Sequence, residues 1–539
     1  MDGPVKILQQ VRRRVQSATY GNPIYRMMLD QGPLPEQLRV TLTDPWPGDA
    51  DVGQVLIKNQ PGLFDQEISP SPLHTPHYIL AHGWLRDLRA VGTETARRKA
   101  LSLIEEWLDE QDQWQEDSWA PDILGERLAN WVSFHDFYAA HASPAFIEQL
   151  ITSMVRQLRH LLRTIPPTLT GVENLRAVKG LIFAGLGLLD SEKALSLALE
   201  LLQRQLTVEI LPDGGHISRN PSQQLQMLHY LIDIRNSLRA VQLALPHELT
   251  NAIERMVPVL KLYRHGDNGL ALFNGAREDS SLWMEAAITL SEARGRVLRR
   301  LPQTGYERVT AGRSLLLIDV GPPPPPLYDD AAHAGLLSFE FSVGRERLIV
   351  NCGAGPEGDA DWRLATAATA AHSTLTLQDT NACEVLVDGG IGQQPRNMAA
   401  QRYEQDEMHH VEMMHDGYAA KYRTTYHRTL SLSTEGEELR GREVLSGSTG
   451  RDFTLRWHLH PGVQASLVHG GQAALLRLPS GSGWRLRVEP LRSGGDLGLE
   501  SSIYCGGLAP RRTLQLKLSG RTSDDPTIIV WRLTREKKG

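Results

Sequence analysis

The strongest constraint on the fold is a change in hydrophobic periodicity close to residue 300. From about His82 to Gly295, apolar residues recur at helical spacing in long segments that short Pro, Gly or Asp breaks separate. After about Leu301, short runs alternate apolar and polar residues and are rich in Thr, Ser, Val and Leu. This order predicts a helical domain followed by an all-β domain.

Short loops between consecutive helices favour antiparallel hairpins, so the first segment predicts roughly eight to ten helices in a bundle, an array or a toroid. The strands predict an antiparallel β-sandwich. We therefore divide the 539 residues into an arm over 1–75, a helical domain over 76–298 and a β-sandwich over 299–539. The arm contains Asp44-Pro45-Trp46-Pro47-Gly48-Asp49, where proline and glycine predict an irregular segment laid over a larger body.

The charge balance argues against nucleic acid as a partner. Lys and Arg number 57 against 63 Asp and Glu, which gives a net charge of -6 and no basic excess. Because the chain is mildly acidic, an acidic substrate would need a locally basic cleft.

Cysteine usage and hydropathy bear on the compartment. Three scattered cysteines, Cys352, Cys383 and Cys505, predict no disulfide framework and fit a reducing compartment. The N-terminal residues contain no apolar stretch typical of a signal peptide, and no long uncharged apolar run predicts a membrane span. We expect a soluble cytoplasmic protein, with the cell envelope or periplasm as the alternative.

The segment Leu211–Pro221 predicts either a functional loop or a helix start. Its glycines and prolines predict an irregular conformation, and His216, Ser218, Arg219 and Asn220 supply polar groups that a plain connection does not need. The alternative is a helix cap, with Asn220 as N-cap and proline at the first helical position. Both roles are compatible.

Histidines in the β domain suggest a metal site. His333 and His372 could come together with Asn351 or Cys352 at strand ends, and imidazole and thiolate are good zinc ligands. The alternative is a pair of histidines that form hydrogen bonds between strands. We keep a structural Zn²⁺ as the one cofactor expected from this pattern.

One predicted helix combines arginine with tryptophan. Arg127 and Asn130 share a face at i, i+3 spacing beside Trp131, so they could bind a carboxylate next to an aromatic platform. Buried ion pairs between helices, for example with Glu126, are the structural alternative.

The segment 409–427 is unusually rich in His and Tyr, including Tyr418, and such side chains transfer protons or stack on sugar rings. A solvated loop with one or two core tyrosines is the alternative. Hydrolysis by paired carboxylates is a further hypothesis, for which Asp213 and Asp416 are the candidate loop acids.

In these stretches the chain resembles the heparinase II/III-like proteins, which are polysaccharide lyases and relatives. The resemblance implies an N-terminal (α/α) toroid, a C-terminal antiparallel β-sandwich and β-elimination on uronic-acid polymers. It also implies that Asn174 neutralises the substrate carboxylate, that the loop around His216 lines the cleft, and that His333 and His372 match zinc-binding histidines. The matching stretches are 126–132, 174–185, 211–221, 333–341, 348–355, 371–377 and 415–430.

Several positions depart from the lyase pattern. Leu175 follows Asn174 where lyases have histidine, and Gln223 stands where the catalytic tyrosine is expected. Ala331 replaces a histidine, and Asn351 replaces an acidic metal ligand. Such changes fit either altered chemistry or a glycan-binding protein without turnover.

From these residues we expect a lyase acting on an acidic polysaccharide or oligosaccharide, with a catalytically silent carbohydrate-binding or envelope-glycan accessory protein as the alternative. A homodimer is left open. His216 is the expected base and Tyr418 the acid, while Tyr230, two turns after Gln223, is the alternative tyrosine. The full set of candidates is Asn174, His216, Arg219 and Tyr418 for catalysis and Asn220, Gln223, Arg127, Trp131 and Tyr230 for substrate binding.

Overall fold

A computed structural model describes most of the chain, and its contacts divide it into two compact units. The helical unit comprises residues 1–208 and 227–253, and the β unit comprises 209–226 and 254–539. The predicted boundaries at residues 75 and 298 stay predictions, and much of the predicted arm lies outside the described residues. The described residues are 16, 18–58, 75–166, 169–188, 192–356, 358–447, 449–491, 494–507, 509–523 and 526–536.

Helices begin and end at residues that commonly cap helices. The helix Pro144–Thr164 has proline in its first turn, and the Ser143 side chain accepts a hydrogen bond from the Phe146 amide. The helix Trp84–Val91 ends at Gly92, which has a φ of 70°. The other helices up to residue 291 are Pro23–Asp30, Ala50–Lys58, Pro76–Leu80, Glu94–Glu110, Pro121–Ser133, His135–Tyr138, Gly171–Gly187, Glu192–Glu209, Pro221–Ala240, His247–Tyr263 and Ser281–Ser291.

Two helices of the helical unit, Pro121–Ser133 and Gly171–Gly187, pack backbone against backbone. Gly125 and Gly180 make this contact, because a Cβ added to Gly180 would lie 2.2 Å from the Gly125 Cα atom. Only glycine allows helices to approach so closely. The approach brings neighbouring side chains of the two helices together, including Glu126 and Arg176, whose carboxylate and guanidinium lie 3.2 Å apart.

The irregular segment around Trp46 packs into the same unit. Trp46 is 1% exposed, and its indole nitrogen donates to the Asp233 carboxylate at 2.6 Å. Asp44 accepts from the Arg86 guanidinium at 2.6 Å. The segment therefore lies over the helices as the sequence predicts, and it contributes polar as well as apolar contacts.

Two antiparallel sheets form the core of the β unit. Their strands are β1 Arg300–Leu301, β2 Tyr306–Ala311, β3 Ser314–Asp319, β4 Phe339–Val343, β5 Glu346–Val350, β6 Leu375–Leu377, β7 Met398–Gln405, β8 Met408–His415, β9 Thr425–Ser433, β10 Glu438–Ser446, β11 Asp452–Leu459, β12 Gln464–Val468, β13 Ala473–Arg477, β14 Gly483–Val488, β15 Gly495–Tyr504, β16 Arg511–Arg521 and β17 Thr527–Arg535. The first sheet has the strand order β1-β2-β3-β4-β5-β11-β16-β15 with β6 paired to β11, and the second has the order β12-β13-β14-β17-β10-β9-β8-β7.

Aromatic side chains from both sheets meet between them. The ring centroids of Trp457 and Trp531 lie 5.4 Å apart, and those of Phe341 and Trp484 lie 5.4 Å apart. All four are fully buried, as expected for the interior of a sandwich. The predicted order of a helical part followed by antiparallel sheets is confirmed.

A buried ion pair crosses β9 and β10 in this core. The Arg428 guanidinium donates to both carboxylate oxygens of Glu443, at 2.9 and 3.1 Å. Tyr426 and Trp531 also donate to Glu443. The charge is therefore fully hydrogen-bonded, as a buried carboxylate requires.

Within the described residues, every helix is too short or too polar to cross a membrane.

Candidate active site

Three side chains of the helical unit converge on the carboxylate of a fourth, and each of the four lies on a different helix. We call Glu126, His77, Arg176 and Tyr230 the Glu126 cluster. The Tyr230 hydroxyl donates to Glu126 Oε1 at 3.0 Å, and Arg176 Nε donates to the same hydroxyl at 3.0 Å. His77 Nε2 and Arg176 Nε each lie 3.2 Å from Glu126 Oε2. The cluster therefore places a hydroxyl, an imidazole and a guanidinium within reach of one carboxylate.

The cluster is only partly open to solvent. The His77 and Arg176 side chains are 26% and 20% exposed, while that of Glu126 is 11% exposed. Tyr230 is 4% exposed. A ligand reaching this place from solvent would meet the imidazole and the guanidinium first.

The charges in the cluster set its protonation. Burial would raise the pKa of Glu126, but His77, Arg176 and the nearby Lys179 lower that pKa to about 2. Burial raises the pKa of the Tyr230 phenol well above its ordinary value, and the Glu126 charge adds to this against the opposing effect of Arg176. At neutral pH the carboxylate is ionised and the phenol keeps its proton.

A second buried carboxylate lies deeper in the same unit. Asp233 accepts from Lys179 Nζ at 2.6 Å, and His229 Nε2 lies 3.2 Å from its Oδ2 atom. The ammonium group of Lys179 also lies 5.2 Å from the Tyr230 ring centroid. Although burial opposes ionisation, Lys179 and His229 lower the pKa of Asp233 below its ordinary value. The charge of Lys179 also lowers the pKa of Glu126, so this pair is linked electrostatically to the Glu126 cluster.

Among the predicted site residues of the helical unit, Tyr230 alone belongs to the Glu126 cluster. Asn174 is 6% exposed, and its amide donates to Gln205 at 3.0 Å. Asn174 and Arg176 are two positions apart on one helix and so point to different faces. The predicted role of Asn174 stays a prediction.

Arg127 and Trp131 lie in the interior of the helical unit, and both are 0% exposed. Arg127 donates to Gln157 at 3.0 Å and to the Leu80 carbonyl at 2.8 Å. The Trp131 indole donates to His82 at 2.8 Å. The helical core surrounds both side chains, so neither is exposed where a substrate could contact it.

The loop 211–221 belongs to the β unit, and its His216 is 1% exposed. His216 Nδ1 lies 2.7 Å from the Ser218 hydroxyl, and Nε2 lies 3.3 Å from Glu209. This is the connectivity of a serine–histidine–carboxylate triad, but Ser218 is 3% exposed. A nucleophile needs access to its substrate, so the arrangement fits a buried polar network better.

Asn220 caps the helix that begins at Pro221. Its side-chain oxygen accepts from the amides of Ser222 at 2.8 Å and Gln223 at 3.2 Å, which confirms the predicted N-cap. Gln223 itself is half-buried.

Arg219 connects the same loop to the first strands of the β unit through hydrogen bonds and an ion pair. It has a φ of 57°, it is 4% exposed, and it forms an ion pair with Asp319. Its guanidinium also donates to the carbonyls of Thr304 at 2.6 Å and Gly305 at 3.2 Å. With these partners, Arg219 acts as a structural connection within the unit.

Tyr418 lies in the sandwich core at 1% exposure. Its hydroxyl donates to the Leu375 carbonyl at 2.7 Å, and burial raises its pKa above the ordinary value. Of the two candidate loop acids for hydrolysis, Asp416 binds the Arg396 and Asn397 amides, and Asp213 binds the Gln303 and Thr304 amides. All three groups therefore form hydrogen bonds with nearby backbone groups and stabilise the local structure.

The predicted zinc ligands come together only in part. His333 Nδ1 and His372 Nε2 lie 3.1 Å apart, and His372 Nδ1 lies 2.9 Å from the Ala368 carbonyl. Asn351 instead accepts the Ser373 amide at 2.9 Å. Throughout the described ranges, no group of three His, Cys, Asp or Glu side chains is arranged to hold a metal ion. Two donors do not make a closed zinc site, so zinc stays a prediction and no chemistry is assigned to it.

Two family models match consecutive parts of the chain. The heparinase II/III N-terminus model matches residues 86–292, and the heparinase II/III-like C-terminal model matches residues 293–532. The chain belongs to the heparinase II/III-like family. This membership agrees with the resemblance seen in the sequence.

Solved structures of similar fold are polysaccharide lyases. A crystal structure of heparinase III superposes with a TM-score of 0.74 at 12% identity, over 100% of this chain and 93% of that one. The heparan sulfate lyase HepC from Pedobacter heparinus gives 0.61 at 13% identity, over 98% and 91%. At such identities the similarity shows the fold alone, and it confirms a helical toroid followed by a β-sandwich.

A protein of different name is more similar in sequence. FtsZ-localized protein C of Caulobacter vibrioides is 29% identical over 560 aligned residues, covering 97% of this chain and 94% of its own length. The similarity therefore runs along nearly the full length of both chains.

Proposed function

We propose that the helical unit binds an acidic, uronate-containing glycan at the Glu126 cluster and cleaves it by β-elimination. The observation that carries this proposal is the Tyr230 hydroxyl held between Arg176 and Glu126, at 3.0 Å from each. A proton donor beside a cation and a second titratable group is the set that elimination next to a carboxylate requires.

Arg176 supplies the positive charge that this substrate needs. Its guanidinium is partly exposed. Burial lowers the pKa of this group, but Tyr230 and Glu126 raise that pKa above its ordinary value, so the guanidinium stays protonated. Paired with the sugar carboxylate, it stabilises the negative charge that develops when the C5 proton leaves.

His77 and Tyr230 supply the proton transfers. The His77 imidazole takes the C5 proton, the C5–H electrons form the C4–C5 double bond, and the C4–O bond breaks. Tyr230 gives its proton to the departing oxygen, which leaves a phenolate and an imidazolium. Glu126 touches both groups, through Oε1 to Tyr230 and Oε2 to His77, so it can pass the proton back and restore the cluster.

Elimination gives a product that hydrolysis cannot give. We expect the purified chain to release fragments carrying a new carbon–carbon double bond from at least one of heparan sulfate, chondroitin sulfate or a glucuronate polymer. Ultraviolet absorbance and mass spectrometry detect this, because the unsaturated fragment is one water lighter than the hydrolysis product. Saturated fragments would point to hydrolysis instead, and no fragments with any polymer would remove the enzyme proposal.

The second candidate function is a non-catalytic, glycan-binding role alongside FtsZ, the protein that the name of one relative contains. Two observations favour it. FtsZ-localized protein C is 29% identical along nearly the whole chain, while the lyase structures stand at 12% and 13%. In addition, Gln223 occupies the position at which the family resemblance expects the catalytic tyrosine.

Cosedimentation with FtsZ polymers assembled in GTP separates the two candidates. If the second is right, the chain pellets with polymers and binds uronate oligosaccharides without releasing product. Turnover without cosedimentation would favour the lyase. Localisation in cytoplasm or envelope, the absence of a nucleic-acid partner and a homodimer stay predictions.

A further inference from the structure

A cavity of the helical unit shares no residue with the Glu126 cluster. It has a volume of about 240 Å³. We call it the aromatic pocket, because four of its lining residues are Tyr20, Tyr25, Trp114 and Trp119. The ring centroids of Tyr20 lie 5.1 Å from Tyr25 and 5.9 Å from Trp114. Several flat apolar faces therefore border one small space.

The polar lining of the pocket carries both signs of charge. Asp112 is 8% exposed and forms an ion pair with Arg156. Arg26 approaches the same carboxylate at 3.9 Å. Asp30, which lies outside the lining, accepts from Arg156 Nε at 2.9 Å. Asp112 in the lining and Asp30 behind it together balance the charges of the two guanidiniums.

The pocket lining also contains one buried donor. Trp119 is 3% exposed, and its indole nitrogen has no hydrogen-bond acceptor among the described residues. An unpaired buried donor is costly, so this group is suited to a ligand hydroxyl or carbonyl. The observation is independent of the ring geometry.

These features select a ligand class. Aromatic rings with a carboxylate alone would suit an organic cation, but Arg26 and Arg156 repel it. Arginines alone would suit an anion, but Asp112 repels that. A ligand with apolar faces, many donors and acceptors and no net charge fits both the rings and the balanced charges. The volume lies below the ~300 Å³ at which drug-sized pockets begin, so one ring fits better than a chain.

We propose that the aromatic pocket binds one ring of an uncharged sugar. The apolar face of the ring stacks on Tyr20 or Trp114, its hydroxyls meet Asp112 and the arginines, and Trp119 donates to a ring substituent. This site does not depend on the proposed function, because it uses none of the residues of the Glu126 cluster.

Saturation-transfer NMR on the full chain tests the proposal with three kinds of probe. The neutral probes are glucose, galactose, mannose and N-acetylglucosamine, the anionic probe is glucuronate and the cationic probe is choline. We expect saturable binding of at least one neutral sugar, weakened at least tenfold in Trp114→Ala. Binding of glucuronate or choline alone, or of none of the probes, would overturn the proposal.

Two controls keep the test decisive. Trp114→Phe retains a ring and should retain most of the binding, which separates loss of stacking from loss of fold. Trp362→Ala removes a half-buried tryptophan from the β unit and should leave binding unchanged. Neutral-sugar binding that survives both Trp114→Ala and Tyr20→Ala would place the sugar elsewhere and contradict the assignment. The variant Arg176→Met distinguishes the two sites. It should weaken the binding of glucuronate polymers at the Glu126 cluster and leave the binding of the neutral sugar unchanged.

Discussion

A Tyr230→Phe chain is expected to lose roughly 10²- to 10⁴-fold of its elimination rate, the range for removal of a general acid. The phenol is the group of the cluster that carries a transferable proton at neutral pH, because burial and Glu126 raise its pKa. Phenylalanine keeps the ring and its packing. Substrate affinity should change little, since Arg176 still faces the carboxylate, so the loss should appear in kcat.

Steady-state kinetics on one uronate polymer measure this effect, and Tyr138→Phe is its matched control. Tyr138 is also a buried tyrosine of the helical unit, and its hydroxyl donates to the Trp131 carbonyl at 2.9 Å. Removing that hydroxyl costs one hydrogen bond but no proton donor at the cluster. Equal rates for Tyr230→Phe and the unchanged chain would remove Tyr230 from the mechanism.

The second large effect concerns stability. Lys179→Met should destabilise the helical unit by about 3–5 kcal/mol, because it leaves the buried Asp233 carboxylate without its cation. The side chains of the pair are only 2% and 5% exposed. Urea unfolding followed by hydrogen exchange in peptides from the helix Gly171–Gly187 measures the loss where it occurs.

Two further variants make this result specific. Adding Asp233→Asn to Lys179→Met removes the unpaired negative charge of the Asp233 carboxylate and should restore part of the stability. Lys517→Met breaks an ion pair whose side chains are 28% and 47% exposed, and it should cost at most about 1 kcal/mol. A Lys179→Met chain as stable as Lys517→Met would show that the buried pair contributes little.

The fold was predictable from the sequence because it depends on periodicity. The shift from helical to alternating spacing near Leu301 marks the change to strands, and the Asn220-Pro221 pair marks a capped helix, which the contacts confirm. Both signals are local. They need no knowledge of which distant residues meet.

The candidate site was predictable only in part, because burial and convergence are not local. Arg127 and Trp131 have a suitable spacing, yet both face the interior. The members of the Glu126 cluster lie about fifty residues apart along the chain, on four different helices. Tyr230 was found through its place on the helix after Gln223. His77 and Arg176 carried no signal except that Arg176 lies in a stretch resembling the family.

The binding of a uronate oligosaccharide to Arg176→Met tests the central claim most directly, because it requires no turnover. A charge-assisted hydrogen bond contributes about 1.5–3 kcal/mol, so isothermal titration should show affinity at least tenfold lower than for the unchanged chain. Arg204→Met is the control, since Arg204 is 67% exposed and pairs with Glu200 on the helix surface; its affinity should be unchanged. Equal affinity in Arg176→Met, or no binding by the unchanged chain, would contradict an acidic-glycan site at Glu126.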